Sequence, residues 1–371
     1  MEPDEATPPG APASPDLGVL DSLESELADI ERVVERIEAG ESDALVAAID
    51  VQADLGAEPS AIEAADRGPS STDSRPLQSG PPSHEEHAMG FGIDKLGHWT
   101  EGPEFKVEAE RTKAYAAATN DSNPAHVAGE VAPPVFAVVP IWDTMAGAMA
   151  GIVPPEVLML VVHGEQDMRF HQPIVPGSTL RSAAAPIGVH VKPNGTSVVV
   201  KVETRDEDGN LVVEQYMTSF FRGVSEGEGA GEEAPTHKLD AATKASDPVA
   251  VVTQTLDADQ TYRYAEASGD TMPIHLDAEI AKSVGLPGII IHGLCTMAFT
   301  SVAAVAELCG GDSRKLRRLV VRFSRPVLPG QEITTTFWSA GTYDGNRTFG
   351  FETRNGDGDV VIKDGLVEVA G

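Results

Sequence analysis

The chain repeats itself, and that limits its fold more than any other feature. KAYAAATNDSNPAH at 113–126 aligns with YRYAEASGDTMPIH at 262–275, and MRFHQPIVPG at 168–177 aligns with VRFSRPVLPG at 321–330. The offsets are 149 and 153 residues, so order is kept with short insertions between. Two matched pairs in the same order indicate an internal duplication, which is one fold read twice. The copies span about 89–223 and 248–371. They are joined by a linker at 224–247, VSEGEGAGEEAPTHKLDAATKASD, and preceded by an extension at 1–88.

Each copy carries the same coarse plan. After a loop holding an Asp and a His comes an apolar, small-residue helical stretch: VFAVVPIWDTMAGAMAG at 135–151, GLCTMAFTSVAAVAEL at 293–308. Alternating apolar segments follow, separated by PG, PNG, DG, DGN and GDG, which are turn signals of antiparallel hairpins. A long, almost wholly apolar helix beside such a sheet must be buried by it. The expected fold class is therefore α+β, with two antiparallel sheets, each wrapped around one central helix.

The formal net charge is −31. Residues 1–90 hold 21 acidic residues against four arginines, net −17, and the remainder carries −14. Such a surface repels nucleic acid and anionic membranes, so neither is expected as a bulk partner. In the extension, Leu20, Leu23, Leu27, Ile30, Val34 and Ile37 fall on one stripe of a helix within about 18–55. Fewer than three heptads leave open whether that helix docks on its own chain, forms a homodimer or tethers a partner protein. Residues 56–88 read as a flexible linker. The two cysteines, Cys295 and Cys309, form no disulfide framework and suit a reducing cytoplasm. MEPDEATPPG lacks a basic-then-apolar signal pattern, and no run approaches the roughly 18 apolar residues of a membrane span.

SGDTMPIH at 268–275 places Asp270 and His275 five apart in a bent, Gly- and Pro-punctuated segment. PGIIIHG at 287–293 leads from there into the apolar helix, so Gly293 stands near a helix N-terminus with free N–H groups. A carboxylate, an imidazole and an oxyanion donor together suit the addition of water across a double bond conjugated to a thioester carbonyl. The water needs a base, the α-carbon needs a proton and the enolate oxygen needs a donor.

YRYAEASGDTMPIHLDAEIAKSVGLPGIIIHGLCTMAF, continued by VRFSRPVLPGQEITTTFW, resembles the MaoC-like, (R)-specific enoyl-CoA hydratase family, the type-2 enoyl-CoA hydratases. The resemblance is strong over 248–371 and weaker over 89–223. It implies a double hot-dog fold and a hydro-lyase that converts trans-2-enoyl-CoA, or an acyl-carrier-protein thioester, to the (3R)-3-hydroxyacyl thioester. It implies that Asp270 and His275 are the catalytic pair and that Gly293 N–H is the oxyanion donor. It also implies that the first copy holds the acyl tail. The expected setting is fatty-acid β-oxidation, elongation or hydroxyacyl supply.

One departure from the family pattern GDxNPxH stands at the substrate side of the site: Met272 occupies the Asn position, and a thioether cannot donate a hydrogen bond. The first copy keeps Asp121, Asn123 and His126, a secondary candidate site. It has Pro133 and Pro134 where the second copy has His292 and Gly293, however, and proline offers no N–H. The rival reading is a non-catalytic acyl-thioester-binding or scaffold protein silenced by Met272.

In RKLRRLVVRFSR at 314–325, strand alternation puts Arg318 and Arg322 on one face. They are candidates for receiving the carrier's phosphates, or else for a solvated face or a domain-interface ion pair. Arg169 is the first-copy counterpart of Arg322. His163 and His171 read as structural, and Cys295 as a core residue. No Gly-rich phosphate loop, dinucleotide fingerprint or metal-spaced cluster is apparent, so the expected chemistry calls for no cofactor and no metal.

Overall fold

The computed structural model describes residues 90–371; the extension, with its stripe from Leu20 to Ile37, lies outside the described residues. The first copy runs β1 (Thr100–Lys106), α1 (Ala109–Ala118), α2 (Trp142–Ala150), β2 (Val161–Phe170), β3 (Thr179–Lys192), β4 (Gly195–Arg205) and β5 (Leu211–Arg222). A two-residue β6 (Ala230–Gly231) lies in the connector. The second copy runs β7 (Ala250–Thr255), α3 (Gln260–Ser268), α4 (Gly293–Glu307), β8 (Leu316–Phe323), β9 (Glu332–Tyr343), β10 (Asn346–Asn355) and β11 (Val360–Ala370).

Strand order makes the duplication visible. The first half is ordered β1-β3-β4-β5-β2 and the second β7-β9-β10-β11-β8, the same order of counterparts. The two halves join edge to edge through antiparallel β2 and β8; with the short β6 beside β3 this gives, among the described residues, one continuous 11-stranded sheet rather than two separate ones. At the seam, Glu165 faces Arg322, Asp167 faces Val320 and Arg169 faces Arg318. Applying the 153-residue offset, Asp167 corresponds to Val320 and Arg169 to Arg322, so the seam has the self-complementary register of a two-fold dimer. Tyr115 and Tyr264, 149 apart, donate and accept across the same pseudo-axis with their hydroxyls 3.1 Å apart.

The strands alternate as their sequences require. In β5, Val213, Gln215, Met217, Ser219 and Phe221 are buried, while Glu214, Tyr216, Thr218 and Phe220 are partly exposed. α4 is buried on nearly every side: Leu294, Cys295, Met297, Ala298, Phe299, Ala303 and Ala304 all lie in the core. The matching stretch of the first copy is not one α-helix. Residues Pro134–Ile141 form a 3₁₀ helix, and only Trp142–Ala150 are α-helical. Pro140 explains the break, since it has no N–H to continue the ladder and its ring crowds the preceding turn.

The connector at 224–247 is docked rather than free. Ala230 pairs with Val189. His237 Nδ1 donates to the Asp364 carbonyl at 2.7 Å, and Lys244 donates to Glu352 at 3.0 Å. Among the described residues, no helix is long and apolar enough to cross a membrane.

Candidate active site

α3 ends at Gly269, whose φ of +84° is left-handed, and Asp270 begins the loop beyond it. In the first copy Asn120 takes the same place at φ +50°; asparagine is the side chain that tolerates this region best. The Asp270 carboxylate accepts the Met272 N–H at 3.2 Å, tying the loop to its own first residue. A short 3₁₀ turn, Pro273–His275, then carries the imidazole inward, where it is buried. His275 Nδ1 donates to the Ile290 carbonyl at 2.9 Å. That bond fixes the tautomer and leaves Nε2 with its lone pair available.

His292, at the cap of α4, completes the arrangement, and the sequence analysis did not count it as a site residue. Its ring stacks on His275 with centroids 3.8 Å apart, and its Nε2 donates to the Asp270 carbonyl at 3.1 Å. It thus buttresses both members of the pair. The signal lay in the HG preceding the helix, but only the fold shows that the ring points back. His292 makes no side-chain bond to the start of α4, so the first N–H groups, beginning at Gly293, keep their donor capacity. A β-carbon at Gly293 would come within 3.2 Å of the Phe323 ring, so any side chain there presses on that wall.

Burial controls the protons. It raises the Asp270 pKa above the ordinary carboxylate range, against the opposing pull of His275 and the Met272 N–H. It lowers that of His275, against the Ile290 carbonyl and the Asp270 charge. His292 is pushed down to about 3 by burial and by the neighbouring His275. The site therefore favours neutral imidazoles beside a carboxyl that holds its proton longer than usual. One ligand-type atom each from Asp270, His275 and His292 lie within 4.8 Å of one another. With His292 Nε2 on the Asp270 carbonyl and Nδ1 3.3 Å from Thr261 Oγ, two free donors remain, fewer than a zinc site uses.

The first-copy loop is closed. His126 Nδ1 donates to Asp121 at 2.6 Å, and both groups are buried. Asn123 accepts from Ala125 N–H and donates to the Gly311 carbonyl at 2.7 Å. Its polar groups are spent on the protein, whereas Asp270 and His275 lie close together without a direct bond to each other.

The arginines separate. Arg318 makes a two-pronged bond to Asp167 at 2.9 and 2.7 Å and a further one to Glu368 at 3.3 Å, which is the domain-interface alternative. Arg322 pairs with Glu165 at 3.2 Å, and both line a small solvent-open cavity with Lys192, Arg222, Phe323 and Lys363. Burial lowers the pKa of Arg222. Lys363 is lowered by burial and by the nearby Arg322 charge. Phe323 connects this cavity to the start of α4, since the same ring stands against Gly293. His163 packs half-buried against Phe323, is bonded to Gln166, and is pushed down to about 4 by desolvation, which fits a structural role. His171 lies just beyond β2, its N–H on the Val212 carbonyl. Cys295 and Cys309 are free and buried.

Comparison with known proteins agrees with this architecture. The family described as MaoC like domain matches residues 240–360, and that described as MFE-2 hydratase 2 N-terminal domain matches residues 129–223. The chain is 32% identical over 301 residues to the 3-hydroxyacyl-thioester dehydratase Y of Mycobacterium tuberculosis, covering 76% of this chain and all of that one. Its structure is similar to a MaoC-like dehydratase from Phytophthora capsici, with TM-score 0.68 and 27% identity over 75% of this chain and 97% of that one. A second Mycobacterium tuberculosis protein, described as having a double hotdog fold, shares the fold at TM-score 0.51 and 12% identity, over 76% of this chain and 98% of that one. The chain belongs to the MaoC-like hydratase/dehydratase family and is a hydro-lyase of double hot-dog architecture. This does not favour the reading as a silenced binding protein.

Proposed function

We propose that the protein reversibly hydrates trans-2-enoyl thioesters to (3R)-3-hydroxyacyl thioesters, with the second copy as the catalytic one. The observation that carries this is the convergence of Asp270 and His275, with His292 at the start of α4, their ligand-type atoms lying within 4.8 Å of one another. His275 Nε2 takes a proton from water as its oxygen bonds to C3. The carboxyl of Asp270 gives a proton to C2, and Gly293 N–H supports the enolate oxygen between the two events. Dehydration runs the same path backwards. The cavity holding Arg222, Arg322, Lys192 and Lys363 offers cationic side chains to the phosphates of the thioester carrier. Arg318, engaged by two carboxylates, belongs to the seam. The substrate is an acyl-CoA or acyl-carrier-protein thioester in lipid metabolism. The proposed setting is the cytoplasm, which suits two free buried thiols.

The test is the loss of conjugated enoyl absorbance of a trans-2-enoyl-CoA, with the product's configuration read by chiral chromatography. A 3R product supports the proposal; a 3S product or no turnover across short, medium and long chains refutes it.

Two further outcomes follow from the site. A neutral His275 is required as base, and burial depresses its pKa, so activity persists as pH falls below the ordinary histidine value of 6.5. It declines only where the coupled Asp270–His275 pair takes up a second proton. A kcat/KM profile whose acid limb sits at or above 6.5 would contradict this. Met272 lies at the lip of the loop, 36% exposed. Met272→Asn adds a donor where water must be held, and one net hydrogen bond of about 1 kcal/mol raises kcat/KM roughly fivefold. An unchanged or lower kcat/KM would mean that the water is held without this position.

A further inference from the structure

The closed first-copy loop meets a residue that the sequence does not connect to it. His126 Nε2 lies 2.9 Å from Ser313 Oγ, 187 positions away, while His126 Nδ1 lies 2.6 Å from Asp121. The other Asp121 oxygen accepts the Asn123 N–H at 2.9 Å, so the carboxylate is an acceptor on both sides and Nδ1 must be the donor. In the neutral ring Nε2 is then the acceptor, and the Ser313 hydroxyl donates to it. This is the order of a nucleophile, a base and an orienting acid.

The burial follows the same order. Asp121 is 4% and His126 1% exposed, while Ser313 is partly exposed. Ser313 is on the wall of a small solvent-open hollow shared with Pro134, Phe170, Ile174, Arg314 and Arg317. The serine thus stands at a hollow walled by apolar side chains and two arginines. The Asn123 bond to the Gly311 carbonyl holds the serine's loop against the histidine.

We propose that Ser313, His126 and Asp121 form a second catalytic site that hydrolyses acyl thioesters. Ser313 Oγ bonds to the thioester carbonyl carbon as its proton passes to His126 Nε2. The C–S bond breaks, and the departing thiolate takes that proton. Water then attacks the acyl-serine, gives a proton to His126, and the C–O bond to Ser313 breaks as the proton returns to Oγ. The sum is thioester and water to carboxylic acid and thiol, with no oxidant or cofactor. A thiolate is a good leaving group, which makes thioesters the substrates that need least further assistance. Asp121 is a positioning residue, and Ser313 and His126 act on the substrate.

The test uses the full chain and saturated acyl-CoAs, which have no double bond to hydrate. Wild type is expected to release free thiol, and mass spectrometry to find an acyl adduct on Ser313. A fluorophosphonate probe should label the same residue. Ser313→Ala should lower thiol release by at least about a hundredfold and abolish labelling. The rate of enoyl-CoA hydration should stay unchanged, which also shows that the variant folds. Asp121→Asn, by spoiling the histidine tautomer, should lower thiol release with Ser313 still present. No thiol release and no labelling of wild type overturns the proposal and leaves the three residues as a clamp between the copies. Thiol release that survives Ser313→Ala overturns it equally.

Discussion

Asp270→Asn lowers kcat/KM for enoyl-thioester hydration by about a thousandfold or more, and His275→Asn does the same. General acid–base catalysis contributes on the order of 10² to 10⁴ in rate, and here a single pair both takes and gives the proton. The asparagine is isosteric, and its oxygen can still accept the Met272 N–H that shapes the loop at 3.2 Å. What disappears is the exchangeable proton. Asp121→Asn is expected to keep hydration within about threefold, because Asp121 sits in the closed loop on His126 and Ser313. Initial rates of the three variants beside wild type, with folding checked by thermal unfolding, decide the matter. Loss confined to Asp121→Asn would move hydration to the first copy. Comparable losses in all three would mean that the copies are coupled.

The two loops differ because they meet different neighbours. In the second, the helix that follows opens with glycine and the imidazole bonds a backbone carbonyl, so Asp270 and His275 make no direct bond to each other. In the first, prolines open the helical stretch, and the histidine is drawn onto its own aspartate. The residue types are nearly the same; what differs is whether the histidine's Nδ1 is satisfied by Ile290 O or by Asp121.

This explains what could be read from the sequence. The repeat, α4 and the hairpin strands were legible because they rest on alternation, turn chemistry and apolar runs, all of which are local. β1 and β7 were missed. TEGPEFK carries a Gly-Pro and a register shift, and AVVTQT lies at the sheet's edge with alternate residues exposed. Edge strands bury too little to show a strong pattern. Pro140 was visible, but its effect on the first-copy helix was not drawn. Asp270, His275 and Gly293 came from one loop motif and its family resemblance. His292 as a stacked support and Ser313 as a partner of His126 required contacts across 17 and 187 positions. The fold of the whole sheet likewise depended on the β2–β8 register, which no local pattern encodes.

That seam makes the second large prediction. Arg318→Ala is expected to destabilise the fold by about 3 kcal/mol, the cost of breaking a mostly buried ion pair and stranding one partner. Asp167 is 4% exposed at its side chain and receives two of the arginine's donors, and Glu368 receives a third. Arg169 reaches Asp167 only at 3.6 Å and cannot replace them. For a unit of this size the loss corresponds to a fall in Tm of roughly 5 to 10 °C. The pseudo-two-fold supplies its own control. The counterpart of Asp167 across the seam is Val320, so the fold already accepts an apolar side chain at that register. Adding Asp167→Val to Arg318→Met removes the two-pronged pair, leaving only the longer Glu368 contact at 3.3 Å unmet, and replacing a buried pair by apolar groups is close to neutral. The double variant should therefore recover most of the Tm lost in Arg318→Ala. Equal losses in the double and single variants would show that the damage is not the stranded Asp167 charge. A single variant within 1 °C of wild type would show that solvent already screens the pair.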